Sequence, residues 1–294
     1  REAMVLGMDY AARVQADLLL ATDPDCDRVG IAVKDDEGKY YLMTGNQIGC
    51  LMLNYILSGK KELGTLPSNG AAVKSIVSTE LARPICAAYG VDLFDTLTGF
   101  KFIGEQIGFL EAKGEEDRYI FGFEESYGCL IGTHARDKDG IIAVMMLCEI
   151  AAYYKLQGLT LWDAIEQMYE RYGYYREGQI PVTLEGADGA AKIQEMMKTM
   201  RNNPPETIGK YKVLKIMDCS VGTEKDILTG EEVKIDLPKS NVLRYSLEND
   251  CWCAVRPSGT EPKIKFYMGV RGDSLEGAEK DLADLTEAMR AYTK

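Results

Sequence analysis

The sequence predicts an α/β fold in which a mixed or parallel sheet carries helices on its faces, followed by a smaller α+β domain. Three observations predict it. Helical and strand periodicities alternate between residues 45 and 172, the pattern that packs helices onto a sheet. After Gly173 the alternation gives way to short strand-type runs separated by turn residues, as in α+β architectures. Finally, 294 residues with 46% hydrophobic and 27% charged side chains are the balance of a folded chain. That length suggests about two domains, because single cores usually stop growing near ~150 to 250 residues.

Each element has a local reason. Val5, Met8 and Ala12 recur at helical spacing, and 17–21 is a continuous apolar run of strand type. An acidic loop separates it from a strand at 28–33, and the turn Asp35-Asp36-Glu37-Gly38 leads to a strand at 39–43. Apolar periodicity then predicts a helix over 47–57, a strand over 73–77, a helix over 81–89, a strand over 91–95 and a helix over 102–112. A strand over 118–123 and helices over 141–156 and 161–172 complete this part. Beyond a boundary near 173–178, 186–203 supports one helix, which Asn202-Asn203-Pro204-Pro205 breaks. Short strands fill 211–268, and 275–292 closes as a helix with Leu282, Leu285 and Met289 on one face. There is no internal repeat and no low-complexity tract.

Charge and cysteine usage exclude several classes. Lys plus Arg number 34 against 46 Asp plus Glu, a net charge of −12. This argues against a broad nucleic-acid or anionic-membrane surface, so any bound anion must meet a local basic cluster. The longest nearly uncharged run, 141–154, is interrupted by Glu149 and is shorter than the ~20 apolar residues of a membrane span. The eight cysteines contain no Cys-x-x-Cys, and Cys251-x-Cys253 reads as strand alternation. They fit reduced thiols in a cytoplasmic protein, with no zinc site expected. A single histidine, His134, removes mechanisms that need two. The opening at Arg1 has no signal-peptide pattern and resembles the middle of a domain, which reads as a fragment lacking an N-terminal partner.

Three stretches can carry chemistry. Thr22-Asp23-Pro24-Asp25-Cys26-Asp27-Arg28 follows an apolar strand. In an extended loop residues two apart point the same way, so Asp23, Asp25 and Asp27 can converge, and three oxygen ligands favour magnesium or calcium. The EF-hand pattern fails, because Arg28 and Lys34 stand where Gly and Glu are required. The same residues spell a DxDxV phosphatase motif with Asp25 as nucleophile, or a solvated acidic turn. Gly122-Phe123-Glu124-Glu125-Ser126-Tyr127-Gly128 offers Glu124 and Ser126 two apart, a carboxylate and a hydroxyl suited to adjacent sugar hydroxyls; an ordinary strand-to-loop exit is the alternative. Arg256-Pro257-Ser258-Gly259-Thr260-Glu261-Pro262, with Lys263 and Lys265 beside it, can cradle a phosphate; a plain hairpin turn explains the glycine but not the density of donors.

Two lesser clusters precede helices. Arg136 and Lys138 lie just before 141–156, where basic side chains suggest a nearby anion or simply solvated charge. Thr98 and Gly99 precede another helix, but Glu105 and Gln106 occupy the positions a P-loop needs for Lys and Ser/Thr.

Together these motifs point to a phosphorylated sugar, and in this order the sequence resembles the α-D-phosphohexomutase family, phosphoglucomutase branch. The resemblance covers essentially the whole chain, and RPSGTEP is its most specific motif. It implies interconversion of hexose 1-phosphate and hexose 6-phosphate through a phosphoserine and a bisphosphorylated sugar, with glucose the first expectation and phosphomannomutase or phosphopentomutase specificity within the family the alternative. It implies that Asp23, Asp25 and Asp27 hold Mg2+ and that Arg28 contacts the phosphoserine phosphate. By the same resemblance Glu124 and Ser126 grip sugar hydroxyls, and Arg256, Ser258, Gly259 and Thr260 bind the phosphate that is not reacting. Thr98, Gly99 and Arg136 are further substrate contacts, and Lys138 a general acid/base or phosphate contact. Residues 1–43 would be the end of the second domain, 44–172 the third and 173–294 the fourth. The Ser-His-Asn-Pro serine motif is absent, so the chain is expected to be inactive without the missing N-terminal domain. The competing expectations are an aspartate-nucleophile sugar phosphatase and a non-catalytic phosphosugar-binding module.

Overall fold

The computed structural model of the chain describes residues 2–184, 188–259 and 261–293. Backbone contacts divide it into two units, 1–172 and 173–294.

The first unit opens with α1 (Val5–Val14). Its inward side is not the one the spacing of Val5, Met8 and Ala12 predicts: Ala11 is buried and Val5 is exposed. An antiparallel meander follows, β1 (Leu18–Thr22), β2 (Val29–Lys34) and β3 (Tyr40–Leu42), with β2 central. Gly38 at φ +85° makes the β2–β3 turn, a left-handed conformation that only glycine adopts freely.

Next comes α2 (Gly45–Glu62). A capping box fixes its start: the Thr44 hydroxyl accepts from the Gln47 N–H at 3.2 Å, and the Gln47 side chain accepts from the Thr44 N–H at 3.0 Å. The elements β4 (Ala71–Ser75), α3 (Ala82–Tyr89), β5 (Asp92–Thr96), α4 (Phe100–Glu111), β6 (Tyr119–Phe123) and β7 (Cys129–Ile131) follow, and α5 (Gly140–Leu156) and α6 (Leu161–Tyr172) close the unit. The four strands form one sheet in the order β5-β4-β6-β7, with β4 parallel to both neighbours and β7 antiparallel to β6. Val73 of β4, Tyr119 of β6 and Leu130 of β7 pack against Phe100, Ile103, Ile107 and Leu110 of α4. The chain leaves β4 for β5 on one side and returns past it to β6 on the other. In open α/β sheets ligands bind at the carboxyl ends of strands at such a reversal.

The second unit is an eight-stranded antiparallel sheet. Its elements are β8 (Tyr174–Thr183), α7 (Gly189–Asn202), β9 (Thr207–Ile208), β10 (Tyr211–Asp218), β11 (Thr223–Asp226), β12 (Glu232–Lys234), β13 (Leu243–Leu247), β14 (Trp252–Pro257), β15 (Lys263–Gly272) and α8 (Leu275–Arg290). The order is β12-β11-β10-β13-β14-β15-β8, with β9 paired to β10. One face of the sheet packs on α7 and α8 through Tyr245, Cys253, Phe266, Met197, Leu285 and Met289, with Leu282 against them.

Three differences from the sequence expectation have local causes. The strand expected at 73–77 ends at Ser75, because a turn closed by the Ser78 N–H on the Ser75 carbonyl (3.0 Å) stops it. β8 was hidden by Arg176, Glu177, Gly178 and Pro181, which break the apolar period; it is an edge strand, where proline is tolerated. β7 has only three residues, too few to show a period. The helix expected over 186–203 begins at Gly189, and its first positions fall outside the described residues. Among the described residues no single helix is long and apolar enough to cross a membrane.

The capping box gives a direct test. Thr44→Ala removes the acceptor for the Gln47 N–H and is expected to destabilise the first unit by about 1 kcal/mol, read as a lower urea midpoint by circular dichroism.

Candidate functional site

The acidic loop is built by a sharp turn after β1. The Cys26 N–H donates to the Asp23 carbonyl (3.0 Å), and Cys26 sits at φ +58°. The Arg28 N–H then donates to Asp23 Oδ1 at 3.1 Å. The turn gathers Asp23, Asp25 and Asp27 so that one carboxylate oxygen from each lies within 4.8 Å of the others. The convergence expected from residue alternation is therefore present, though a turn produces it and not an extended segment. Asp23 ionises more readily than usual: desolvation opposes this, but the Arg28 N–H and charge, together with further hydrogen bonds, outweigh it.

Neighbouring loops hold this turn in place. The Gly140 N–H donates to the Cys26 carbonyl (3.1 Å), Arg28 bridges to Gly128 in antiparallel fashion, and the Val29 N–H reaches the Tyr127 carbonyl (3.3 Å). A Cβ on Gly140 would lie 2.6 Å from that Cys26 carbonyl. The acidic loop and the Glu124–Gly128 loop are thus physically joined.

Lys138 connects the same two loops. Its ammonium lies 2.8 Å from Asp27 Oδ2 and 3.0 Å from Asp137 Oδ1, with the side chain 12% exposed. Its stem occupies space that a Cβ at Gly128 would enter, 2.3 Å from Lys138 Cδ. Burial opposes the charge, but the two carboxylates outweigh it and raise the lysine pKa. Lys138 is therefore protonated at neutral pH, a cation and hydrogen-bond donor and not a ready base. The other oxygen, Asp27 Oδ1, is buried and accepts no hydrogen bond among the described residues. A buried acceptor left without a donor, beside two further carboxylates, fits a hard divalent cation bound by oxygen.

Glu124 is buried at the end of β6 and accepts the Gly99 N–H through Oε1 at 2.6 Å. Gly99 adopts φ +116° at the start of α4, which turns this amide toward the carboxylate. Desolvation raises the Glu124 pKa, with the Glu125 charge adding to it and the Gly99 N–H opposing. Ser126 is half-buried in the same loop, and Thr98 precedes Gly99.

Not every expected residue joins this cluster. The Arg136 guanidinium is held by Glu111 and by the Thr133 (2.7 Å) and Ala135 (2.9 Å) carbonyls. The positive start of α5, expected to face a bound anion, is satisfied by Asp139. That carboxylate accepts from the Ile141 and Ile142 N–H groups (3.0 Å each) and also meets His134 at 2.9 Å. The basic residues before this helix therefore have an anion from the chain itself.

In the second unit, Arg256 ends β14 and stands opposite Lys265 of β15 in the ladder. The Ser258 N–H closes the hairpin on the Lys263 carbonyl at 2.6 Å, and Gly259 is exposed at its tip. Thr260 lies outside the described residues. Like charges directly across a ladder repel, and the arrangement suits an anion between them.

Sequence reading missed Glu125, Ser75, Ser78 and Lys74. Both serine hydroxyls donate to Glu125 Oε2, at 3.0 and 3.3 Å. Fully buried Lys74 pairs with Asp95 (2.8 Å) and Glu80 (3.1 Å), and Arg83 bridges the same two carboxylates at 2.8 Å each. The one available signal was the hydroxyl-rich run Ser75 to Thr79 directly after a strand.

The acidic loop and the Glu-x-Ser loop thus meet beside a parallel-stranded core. Residues 44–172 match the alpha/beta/alpha domain III of the phosphoglucomutase/phosphomannomutase family. That match places residues 44–172 in this family. It is 40% identical over 282 residues to a phosphoglucomutase of Staphylococcus aureus (strain MRSA252), covering 96% of this chain and 49% of that protein. It is 39% identical over 277 residues to a phosphoglucomutase of Staphylococcus epidermidis (strain ATCC 35984), covering 94% and 49%. The chain thus spans about half the length of the curated relatives it matches. Two solved structures share the fold. One is the open form of the Paramecium phosphoprotein pp63/parafusin, a phosphoglucomutase (TM-score 0.61, 18% identity, 98% of this chain and 49% of the other). The other is a phosphoglucomutase/phosphomannomutase family protein of Burkholderia thailandensis (TM-score 0.62, 15% identity, 99% and 50%).

Glu124 also sets a pH signature. Its folded pKa lies above the ordinary 4.5, so as pH rises past about 4.5 the unfolded chain releases this proton first. The contribution of Glu124 to stability then falls with rising pH until the folded group has ionised. Glu124→Gln keeps an acceptor for Gly99 and removes that fall. Denaturation midpoints at pH 4 and pH 7 should show the variant gaining on the parent at the higher pH.

Proposed function

We propose that this chain is the metal-, sugar- and phosphate-binding part of a phosphoglucomutase-type enzyme that interconverts hexose 1-phosphate and hexose 6-phosphate, glucose foremost. In this reading residues 1–43 end the second domain, 44–172 form the third and 173–294 the fourth. The observation that carries it is the direct joining of the acidic loop, Lys138 and the Glu124–Gly128 loop. The 40% identity to a phosphoglucomutase supports it independently.

Asp23, Asp25 and Asp27 would hold Mg2+, and bound there the ion would supply neutralisation of charge on a transferring phosphoryl group. The chain's own residues do the positioning that phosphoryl transfer chiefly needs. Lys138 stays protonated between Asp27 and Asp137, offering a fixed positive charge to a phosphate oxygen. Arg28, anchored by its backbone to Asp23 and Gly128, presents a half-exposed guanidinium that can grip phosphate in bidentate fashion. Glu124, with one oxygen held by Gly99, has the other for a sugar hydroxyl, and Ser126 donates to the next. Arg256, Ser258, Gly259 and Thr260 take the phosphate that is not reacting, with Lys265 across the ladder adding charge. Thr98 and Gly99 line the substrate side through the loop that begins α4, whereas Arg136, held by Glu111, stands outside it. The phosphoserine donor belongs to the domain that this chain lacks, so turnover requires it.

The test is a coupled assay of glucose 1-phosphate conversion. The full-length polypeptide should turn over and the 294-residue chain should not. Activity of the shorter chain would overturn the need for the missing domain. Release of inorganic phosphate with an aspartyl-phosphate adduct would favour the phosphatase, and phosphosugar binding without turnover even at full length a binding module.

Metal binding is testable on the chain itself. Mg2+ at about 100 times its Kd should stabilise the fold by roughly 2.7 kcal/mol, and Asp25→Asn, a change at an exposed position, should remove most of that gain in a thermal-shift titration.

A further inference from the structure

Glu125 stands between the two residues assigned to the sugar, yet its carboxylate turns away from them. Its Oε2 accepts from both Ser75 and Ser78, its own N–H donates to Ser78 Oγ at 3.0 Å, and the two hydroxyls lie 2.8 Å apart. Each serine has one hydroxyl proton, and both are within reach of the same oxygen. The turn carrying these serines is itself held from beneath. The Lys74 ammonium contacts the Ser75 and Ser78 carbonyls at 3.4 and 3.5 Å while pairing with Glu80 and Asp95. The start of α2 closes the junction from a third side. Asn46 Oδ1 accepts the Thr79 N–H at 3.1 Å, and a Cβ on Gly45 would lie 2.2 Å from the Glu125 carbonyl.

A buried ion cluster is weak support for stability, because desolvation offsets most of its attraction. What it supplies is geometry: a lysine with no exposure, fixed between two carboxylates, gives the Ser75–Ser78 turn a single position. The turn in turn gives the following loop one register.

We infer that Glu125 is a positioning residue that clamps the Glu124–Gly128 loop to the Ser75–Ser78 turn, so that Glu124 and Ser126 meet adjacent sugar hydroxyls at fixed spacing. The inference rests on the sugar-binding reading of Glu124 and Ser126, but the clamp itself is a property of the folded chain. Glutamine at position 125 can still accept from both serines through its amide oxygen, whereas alanine cannot.

Two measurements test it. In the 294-residue chain, hydrogen exchange of the amides of 124–128 should quicken at least ~10-fold in Glu125→Ala and stay within about 2-fold of the parent in Glu125→Gln; unchanged protection in the alanine variant overturns the clamp whatever the activity of the protein. In the full-length polypeptide, kcat/KM for glucose 1-phosphate is compared with that for deoxy analogues each lacking one ring hydroxyl. A loop that has lost its register should discriminate about 10-fold less in Glu125→Ala, with glutamine restoring the ratio. Simple loss of folded protein would lower all substrates equally and leave the ratio intact. Exchange that quickens while discrimination holds would keep the clamp and overturn its role in substrate selection. Absence of any mutase activity in the parent would instead count against the proposed function.

Discussion

Mutual repulsion among three carboxylates in one short turn is the constraint around which the first unit is arranged. Two unit charges 4 Å apart interact by about 1 kcal/mol in water and about 4 kcal/mol near a protein surface, so Asp23, Asp25 and Asp27 would splay if left to themselves. The chain supplies part of the compensation locally, through the Arg28 N–H on Asp23. The rest arrives from far along the sequence, as the Lys138 ammonium on Asp27. That lysine follows β7, the strand that reverses direction at the sheet edge and brings the start of α5 back over the acidic loop. A local electrostatic problem is thus solved by the topology of the sheet.

The same sheet explains where the remaining polar groups collect. The loops after β4, β5 and β6 leave the carboxyl ends of adjacent parallel strands, where the chain path reverses. Ser75 and Ser78, Gly99, and Glu124 to Gly128 all come from these loops, and each is joined to another by a hydrogen bond involving a carboxylate. Acceptors without protons of their own draw in hydroxyls and amides, so the loops converge through polar contacts above the apolar core of the sheet. The ion cluster of buried Lys74 with Glu80, Arg83 and Asp95 lies at the base of this junction.

Legibility in the sequence followed the range of the interaction. The alternation of helices and strands through 172, the change of texture after Gly173 and the inward face of α8 depend on local periodicity, and the structure has them. The convergence of the acidic triad was legible because its three carboxylates come from one turn. β8 was not, since its own composition breaks the apolar period and its placement depends on pairing with β15, about 80 to 100 residues later. The partners of Arg136 were equally hidden: Glu111 lies in another helix, and nothing in the neighbourhood of Arg136 in sequence announces it. Glu125 was overlooked for the opposite reason, because two flanking residues offered an easier chemical reading and its own partners are 47 and 50 residues away. The unlit part is therefore the long-range polar part, where geometry and not pattern decides who meets whom.

The contact between Gly128 and Lys138 has an effect on how this sequence can vary. The lysine stem fills the volume where any other residue at 128 would place its first carbon. The two positions therefore constrain each other: a larger neighbour at 128 is admissible only with a slimmer side chain at 138, and that exchange would strip Asp27 of its nearer counter-ion. Drift at either site is conditional on the other, although nine residues separate them along the backbone.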